Sequence, residues 1–237
     1  MEIEKRLTLI EHLEELRRRI ITCLAVVLIT SLIAYVRVKE ILESLVKPLG
    51  NTIFISPAEV FVVYIKVAFF CGIILASPVI LFQLWQFVGV ALTPTERRYI
   101  VLVVPASVIL FFLGGIFAYF MIIPLGVKFL LGFATEYVVP MISINKYVNF
   151  IGILMLATGV IFELPLVILF LNGIGLVSPK SLRQNYKFVI VLMLIIAAII
   201  TPTPDIFTQL LVSIPMILLY EVSIWLAHLS NILRGKT

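Results

Sequence analysis

The residues best placed to do chemistry in this chain are three glutamates that stand beside or inside long apolar segments. Glu15 lies in a run of six charges within residues 11–20, Glu96 precedes two arginines, and Glu163 is flanked by apolar residues. Two carboxylates at one membrane interface can bind a cationic ligand through paired charge-assisted hydrogen bonds. An acid inside an apolar segment must be protonated, be paired, or face the protein interior or a watery cavity.

The charged run at the N-terminus also has a simpler structural interpretation. Glu14 and Glu15 stand four residues before Arg18 and Arg19, so ion pairs along one helix would occupy both acids. The apolar residues of this segment fall on one side of a helical wheel and the charges on the other. This pattern is typical of an amphipathic helix that lies on a membrane surface.

The other two acids have local alternatives as well. Glu96 is the last residue of Thr93-Pro94-Thr95-Glu96, a capping box that marks the start of a helix. Glu163 precedes Pro165, so a neutral acid could bond to backbone groups that the proline leaves free. Residue types alone leave both interpretations open.

The composition places these acids in an integral membrane protein. Of the 237 residues, 62% are hydrophobic and only 13% are charged, and the mean hydropathy is +1.19. So few polar side chains cannot solubilise the chain, and its apolar runs are mostly long enough for spanning helices. Period-two alternation is absent, which excludes barrel strands. The fold class predicted is therefore all-α and polytopic.

Six spans account for the apolar runs, in one membrane domain with no separate soluble part. Residues 1–19 form the amphipathic cytoplasmic helix, and no cleavage site follows the first span, so we expect it to be retained. The predicted spans are residues 20–36, 67–90, 100–123, 149–171, 188–200 and 206–227. The fifth is only 13 residues long and covers about 20 Å, short of a ~30 Å hydrocarbon core. Either the bilayer thins there or flanking residues reach out to the headgroups.

The distribution of Lys and Arg predicts the orientation. With the N-terminus inside, the inner segments hold 12 of these residues and the outer segments hold 6. Both termini are thus expected to be cytoplasmic. Because topology accounts for the net charge of +5, the charge gives no support to nucleic-acid binding.

Short connections predict further features of the bundle. Residues 39–49 carry an apolar stripe, which is typical of an interfacial helix on the outer face. Prolines inside or at the ends of the spans remove backbone hydrogen bonds, so the bundle should be curved by kinks. These prolines are residues 78, 105, 124, 165 and 215.

The sequence lacks the residues that several functional classes require. The sequence carries no P-loop, dinucleotide-binding or zinc motif, so no cofactor or metal is expected. Cys23 and Cys71 are interpreted as small core residues. No nucleophile and base stand together at one depth, which argues against an intramembrane enzyme.

Motifs along nearly the whole chain resemble those of the TatC family, the multispanning subunit of the twin-arginine protein translocase. Each motif is weak alone, but their order and spacing together are highly specific. The matching segments are His12-Leu13-x-Glu15-Leu16-Arg17-x-Arg19, Ser77-Pro78-Val79-Ile80, Trp85-x-Phe87, Glu96-Arg97-Arg98, Phe117-Ala118-Tyr119-Phe120, Phe162-Glu163-Leu164-Pro165 and Thr201-Pro202-Thr203-Pro204-Asp205.

The resemblance implies a receptor for folded proteins whose N-terminal signal peptides carry two consecutive arginines. It places the signal-binding site at Glu15 and Glu96. Leu16, Arg17 and Phe87 belong to the same region. Guanidinium groups prefer planar, two-pronged carboxylate partners, so Lys-Lys signals should bind less well.

The resemblance also assigns a membrane-embedded polar residue, Glu163, as a docking point for partner helices. Pro48, Tyr119 and Asp205 are further candidate functional residues. The implied partners are TatA-type and TatB-type single-span subunits, with the receptor itself a homo-oligomer. Export would draw on the proton-motive force, in keeping with the missing nucleotide site.

The main alternative is a proton-coupled secondary transporter that uses Glu163 as its coupling acid. Such folds often have two similar halves with paired broken helices. The sequence shows no convincing internal repeat, and a single buried acid is sparse for a transport pathway. The receptor is therefore the preferred function.

Overall fold

The computed structural model describes residues 9–49, 52–90, 100–135, 137, 140–201, 203 and 205–233, which form ten α-helices and no β-strand. The helices are α1 (Leu9–Val36), α2 (Val38–Val46), α3 (Pro57–Val90), α4 (Ile100–Phe117), α5 (Ile123–Leu131), α6 (Ile144–Phe162), α7 (Leu164–Gly173), α8 (Pro179–Gln184), α9 (Tyr186–Ile200) and α10 (Ile206–Leu233). This architecture confirms the all-α class.

The first two long helices, α1 and α3, pack side by side in opposite directions. The Thr30 hydroxyl donates to the Gly72 carbonyl at 2.8 Å, and Arg19 reaches Gln83 near the other end of the pair. A Cβ added at Gly72 would lie within 3 Å of the Ser31 backbone, so only glycine permits this close approach. Below, the end of the bundle where α1 begins is called the N-terminal end.

Helix α1 runs from Leu9 to Val36 as one continuous helix. The predicted amphipathic segment and the first span are therefore a single element. A separate surface helix would need a turn near residue 19, but nothing in the local sequence ends a helix there. The charged turns thus extend out of the bundle in line with the span.

Several helices begin next to a residue whose side chain caps them. The Ser178 hydroxyl accepts a hydrogen bond from the Ser181 amide at the start of α8, and Ser143 caps α6 in the same way. At α10 the cap is Asp205, whose carboxylate accepts from the Thr208 amide at 2.6 Å and hydroxyl at 2.8 Å. The capping box at residues 93–96 lies outside the described residues.

Two prolines coincide with breaks in long helical runs. A π-helical segment, Ala118–Ile122, separates α4 from α5 and ends just before Pro124. Glu163 separates α6 from α7, with Pro165 in the first turn of α7. A proline cannot donate to the preceding turn, so the helical ladder is interrupted at each place. Pro78, Pro105 and Pro215 lie inside helices that continue through them.

Five helical runs in the described part of the chain are long and apolar enough to cross a membrane. They cover His12–Val36, Pro57–Gly89, Val101–Leu131, Ile144–Gly173 and Ile206–Ile232. Helix α9 is apolar but has only 15 residues. Most runs extend beyond the predicted spans because capping and amphipathic residues continue the helices past the apolar segments.

The far end of the bundle is closed by a polar cap. The Ser143 hydroxyl donates to Glu59 Oε1 at 2.6 Å, and the Ile55 amide donates to Glu59 Oε2 at 2.5 Å. A short parallel bridge pairs Ile53 with Ser143. Helix α2 with its following 3₁₀ turn, Lys47–Leu49, also lies here and covers the segment whose apolar stripe predicts a helix.

Candidate functional site

The residues expected at the signal site come from two helices at the N-terminal end. Glu15 and Arg19 lie one turn apart on α1 and form an ion pair through Glu15 Oε1. Arg19 Nη1 also donates to Gln83 Oε1 of α3 at 3.0 Å and to the Gln83 carbonyl at 3.3 Å. Arg19 therefore joins the two helices and holds Glu15 beside α3.

The predicted ion pair of Glu15 with Arg19 is thus present and has a second role. A side chain at i+4 lies on the same face of a helix, so the spacing on α1 brings the two charges together. The link to Gln83, 64 residues away, could not be predicted from that spacing. The other predicted pair, Glu14 with Arg18, is not formed among the described residues.

The Glu15 carboxylate faces an open polar cavity of about 550 Å³. Its side chain is 27% exposed, against 15% for Arg19. The lining carries two acids, two bases, a hydroxyl and two amides: Glu14, Glu15, Arg18, Arg19, Thr22, Gln83 and Gln86. Such a lining can bind a cationic peptide group, because acceptors surround a carboxylate that is only partly neutralised.

Phe87 stands on the same side of the α1 and α3 pair. Its ring stacks on His12 with a centroid distance of 4.5 Å and an angle of 24°. Leu16 is half-buried and Arg17 is exposed, one and two residues beyond Glu15. The structure thus brings Glu15, Leu16 and Phe87 into one region, and His12 is an addition that charge spacing did not single out.

Glu96, the proposed partner of Glu15, lies outside the described residues. Helix α3 ends at Val90 and α4 begins at Ile100, so the segment between them starts and ends at the N-terminal end. That Glu15 and Glu96 lie close together remains a prediction.

The third acid, Glu163, is buried at the junction of α6 and α7. It is 8% exposed, and its Oε2 accepts a hydrogen bond of 2.6 Å from the Ser107 hydroxyl of α4. Trp85 of α3 in turn donates from Nε1 to Ser107 at 3.1 Å. Glu163 therefore ends a chain of hydrogen bonds that crosses three packed elements, rather than bonding to backbone released by Pro165.

One oxygen of this acid has no partner in the described part of the chain. Glu163 Oε1 is fully buried and accepts no hydrogen bond there. A buried polar atom without a partner costs about 1 to 3 kcal/mol, so the arrangement favours a further polar group at this point. Because Oε1 is inaccessible in this packing, a second helix could supply that group only where the surrounding helices separate.

Little in the sequence indicates that Ser107 and Trp85 take part in the hydrogen bonds to Glu163. Ser107 is a single hydroxyl in the apolar helix α4, and Trp85 is an aromatic residue in an apolar run. Both are nearly inaccessible, with exposures of 0% and 3%. Only the packing of α3, α4 and α6 shows that they bond to the acid.

The remaining candidate residues lie toward the far end of the bundle. Pro48 is part of the 3₁₀ turn after α2. Tyr119 lies in the π-helical segment and lines an apolar groove of about 460 Å³ between α2, α3 and α6. Asp205 caps α10; burial raises its pKa, but hydrogen bonds such as those from the Thr208 amide and hydroxyl lower it more, so the pKa lies below its usual range. These three residues do not contact the Glu15 cavity.

In the part of the chain that the structure describes, no group of three or more His, Cys, Asp or Glu side chains could hold a metal ion.

Comparisons with known proteins point to one family. A family profile described as Sec-independent protein translocase protein (TatC) matches residues 11–215. Two relatives, both named Sec-independent protein translocase protein TatC, are 40% identical. The protein from Carboxydothermus hydrogenoformans aligns over 94% of each chain, and the one from Aquifex aeolicus over 94% of this chain and 95% of its own.

A solved structure agrees with the sequence matches. The crystal structure of a twin-arginine translocase receptor, TatC, superposes with a TM-score of 0.84 at 40% identity. The alignment covers 93% of this chain and all of that one.

Proposed function

Because the chain belongs to the TatC family of Sec-independent protein translocase proteins, we propose that it binds Arg-Arg signal peptides of folded proteins as the receptor of a twin-arginine translocase. The observation that carries this proposal is the partly exposed Glu15 carboxylate in a polar cavity at the N-terminal end. Family and fold alike favour a translocase receptor over the transporter alternative. We expect no catalytic activity.

The proposed setting is the inner membrane of a prokaryote, with six spans and both termini in the cytoplasm. The excess of Lys and Arg in the segments at the N-terminal end supports this orientation. Helix α9 would be the sixth span, although it is shorter than the other five. The Glu15 cavity then opens to the cytoplasm, where a signal peptide is first met.

In the binding step, the guanidinium group of a signal arginine bonds to the Glu15 carboxylate. Arg19 occupies Glu15 through Oε1, while no contact engages Oε2 among the described residues. An arginine of the signal can bond to Oε2 or displace Arg19, which keeps its second anchor on Gln83. Glu96 would receive the other arginine. Leu16 and Phe87 provide apolar surface beside the acids, and Arg17 lies at the exposed edge.

Crosslinking of signal peptides to the full chain tests this site. Peptides with a photoreactive group next to Arg-Arg or Lys-Lys are mixed with the purified protein and with Glu15→Gln and Glu96→Gln. The control is Glu40→Gln, which also breaks an ion pair on one helix, with Arg37, but far from the cavity. We expect both site variants to lose most of the crosslinked product and the control to keep it. Equal yields from all four proteins, or from both signals, would overturn the proposal.

Glu163 is proposed as a docking point for the TatA-type and TatB-type single-span subunits. The buried Oε1 without a partner supports this role. Docking would separate the helices around Glu163, and a polar side chain of the partner helix would then bond to Oε1. The proton-motive force would drive export after assembly. The receptor would work as a homo-oligomer.

Co-purification separates docking from a structural role of the acid. Glu163→Gln keeps an oxygen that can accept from Ser107, whereas Glu163→Leu removes both oxygens. We expect the leucine variant to lose the small subunits while still eluting as a folded protein, and the glutamine variant to keep part of the complex. If Glu163→Leu binds the small subunits and supports export as well as the wild type, Glu163 is a structural group only.

A further inference from the structure

A second cavity lies at the N-terminal end of the bundle, away from the residues that line the Glu15 cavity. It occupies about 420 Å³ between α8 and the last turns of α10, a volume in the range of sites that hold small ligands. Its lining consists of Pro179, Lys180, Arg183, Ile224, Trp225 and His228. None of these residues belongs to the Glu15 cavity or contacts Glu163.

Three of the six lining side chains are basic and can donate to an anion. Lys180 and Arg183 project from α8, and His228 projects from α10. Arg183 Nη2 donates to Glu221 Oε1 at 3.2 Å, which also accepts from Trp225 Nε1 at 3.2 Å. Glu221 therefore fixes the guanidinium and the indole in place. Lys180 forms no ion pair among the described residues, so the cavity keeps a net positive charge.

The depth of the cavity indicates a lipid environment. Helix α9, which follows α8, has 15 residues and rises about 22 Å. Glu221 lies about 22 Å along α10 from its first residue, Ile206, and Trp225 about 28 Å. A hydrocarbon core is ~30 Å thick, so Arg183 and Glu221 stand at or just inside its edge. Charged groups at that depth need a polar partner from the membrane interface.

Trp225 marks the same boundary. It is 65% exposed and lies on the lining of the cavity. Tryptophan is enriched at the level of the lipid headgroups, because its ring is apolar and its N–H is polar. Basic pockets between spanning helices at this level bind anionic headgroups.

We propose that the cavity between α8 and α10 holds the headgroup of an anionic phospholipid, with Lys180 and Arg183 on the phosphate. The acyl chains would lie along the exposed apolar faces of α9 and α10, where Phe188 and Trp225 stand. A headgroup drawn in beside α8 would also let the short α9 cross the membrane, because the lipid at this point sits deeper than its neighbours. The site does not depend on signal binding at Glu15.

Lipid binding to the full chain tests this inference. The purified protein in a neutral detergent is titrated with phosphatidylglycerol and with phosphatidylcholine of the same acyl chains, and bound lipid is counted by native mass spectrometry. We expect phosphatidylglycerol to bind about 25-fold tighter, since Lys180 and Arg183 beside a headgroup each contribute about a fivefold change. Lys180→Gln should weaken phosphatidylglycerol about fivefold.

The matched control is Lys187→Gln, an exposed lysine in the first turn of α9 that does not line the cavity. It should change the affinity by less than about twofold. Equal binding of the two lipids would overturn the proposal, as would equal losses in Lys180→Gln and Lys187→Gln. Displacement of the lipid by millimolar inorganic phosphate would identify a site for free anions and would also refute the lipid assignment. Both variants replace exposed side chains, so folding is preserved.

Discussion

The hydrogen-bond chain from Trp85 through Ser107 to Glu163 gives a prediction whose size can be worked out. Replacing Ser107 by alanine removes the hydroxyl that joins the indole to the acid, and both stay buried. Each buried group left without a partner costs about 1 to 3 kcal/mol in soluble proteins. Inside membranes, single hydrogen bonds contribute about 0.6 kcal/mol on average and at most about 1.7. Two lost bonds should therefore destabilise the protein by about 1 to 3 kcal/mol.

Ser213→Ala is the matched control. Ser213 is equally buried, but its hydroxyl donates only to the Leu210 carbonyl of its own helix, at 3.3 Å. Its loss leaves no distant group unpaired, so the cost should stay below about 0.5 kcal/mol. Unfolding in mixed micelles of neutral detergent and dodecyl sulfate, followed by tryptophan fluorescence, measures both. Trp85 is buried and should report the unfolding of its own site.

A double variant separates the loss of the bond from the loss of the side chain. In Ser107→Ala/Glu163→Leu the acid is gone, so the missing hydroxyl leaves only Trp85 without a partner. The two changes should then cost less together than the sum of the single variants, by about 1 kcal/mol. Additive losses, or a Ser107→Ala variant as stable as Ser213→Ala, would refute the coupling.

Three further predictions concern packing, pH and the Glu15 site. Gly114→Ala should cost about 1 to 3 kcal/mol, because the added carbon would lie 2.5 Å from the Thr158 carbonyl, whereas Gly115→Ala has open space and should be neutral in the same unfolding assay. The Asp205 carboxylate should stabilise the protein above the ordinary Asp pKa of about 4 and lose that effect as pH falls through its lower folded pKa. Asp205→Ala should therefore lower the melting temperature at pH 7, and the difference from wild type should shrink at acid pH; a constant difference would contradict this. Glu15→Gln should cost less than about 1 kcal/mol, because a partly exposed ion pair contributes little, so a larger loss would mean that reduced crosslinking reports misfolding.

Local sequence patterns predicted many elements of the fold. The Ser178-Pro179 pair starts α8, Pro165 coincides with the break at Glu163, and the stripe over residues 39–49 forms α2 and its 3₁₀ turn. Each depends on atoms within a few residues, so spacing along the chain is enough. At α10 the cap is Asp205, which accepts from the Thr208 amide three residues ahead.

The sequence alone determined that this is an all-α membrane protein with acids at Glu15 and Glu163, and the motif order identified its family. Transfer of an apolar run into lipid depends on composition, and an i,i+4 pair depends on helix geometry, so both are local properties. Only the tertiary structure decided that Arg19 hydrogen-bonds to Gln83. The same holds for the hydrogen bonds that link Trp85 to Ser107 and Ser107 to Glu163. These partners come from different helices, and which of them meet depends on how the helices pack against one another, which no spacing within one segment specifies.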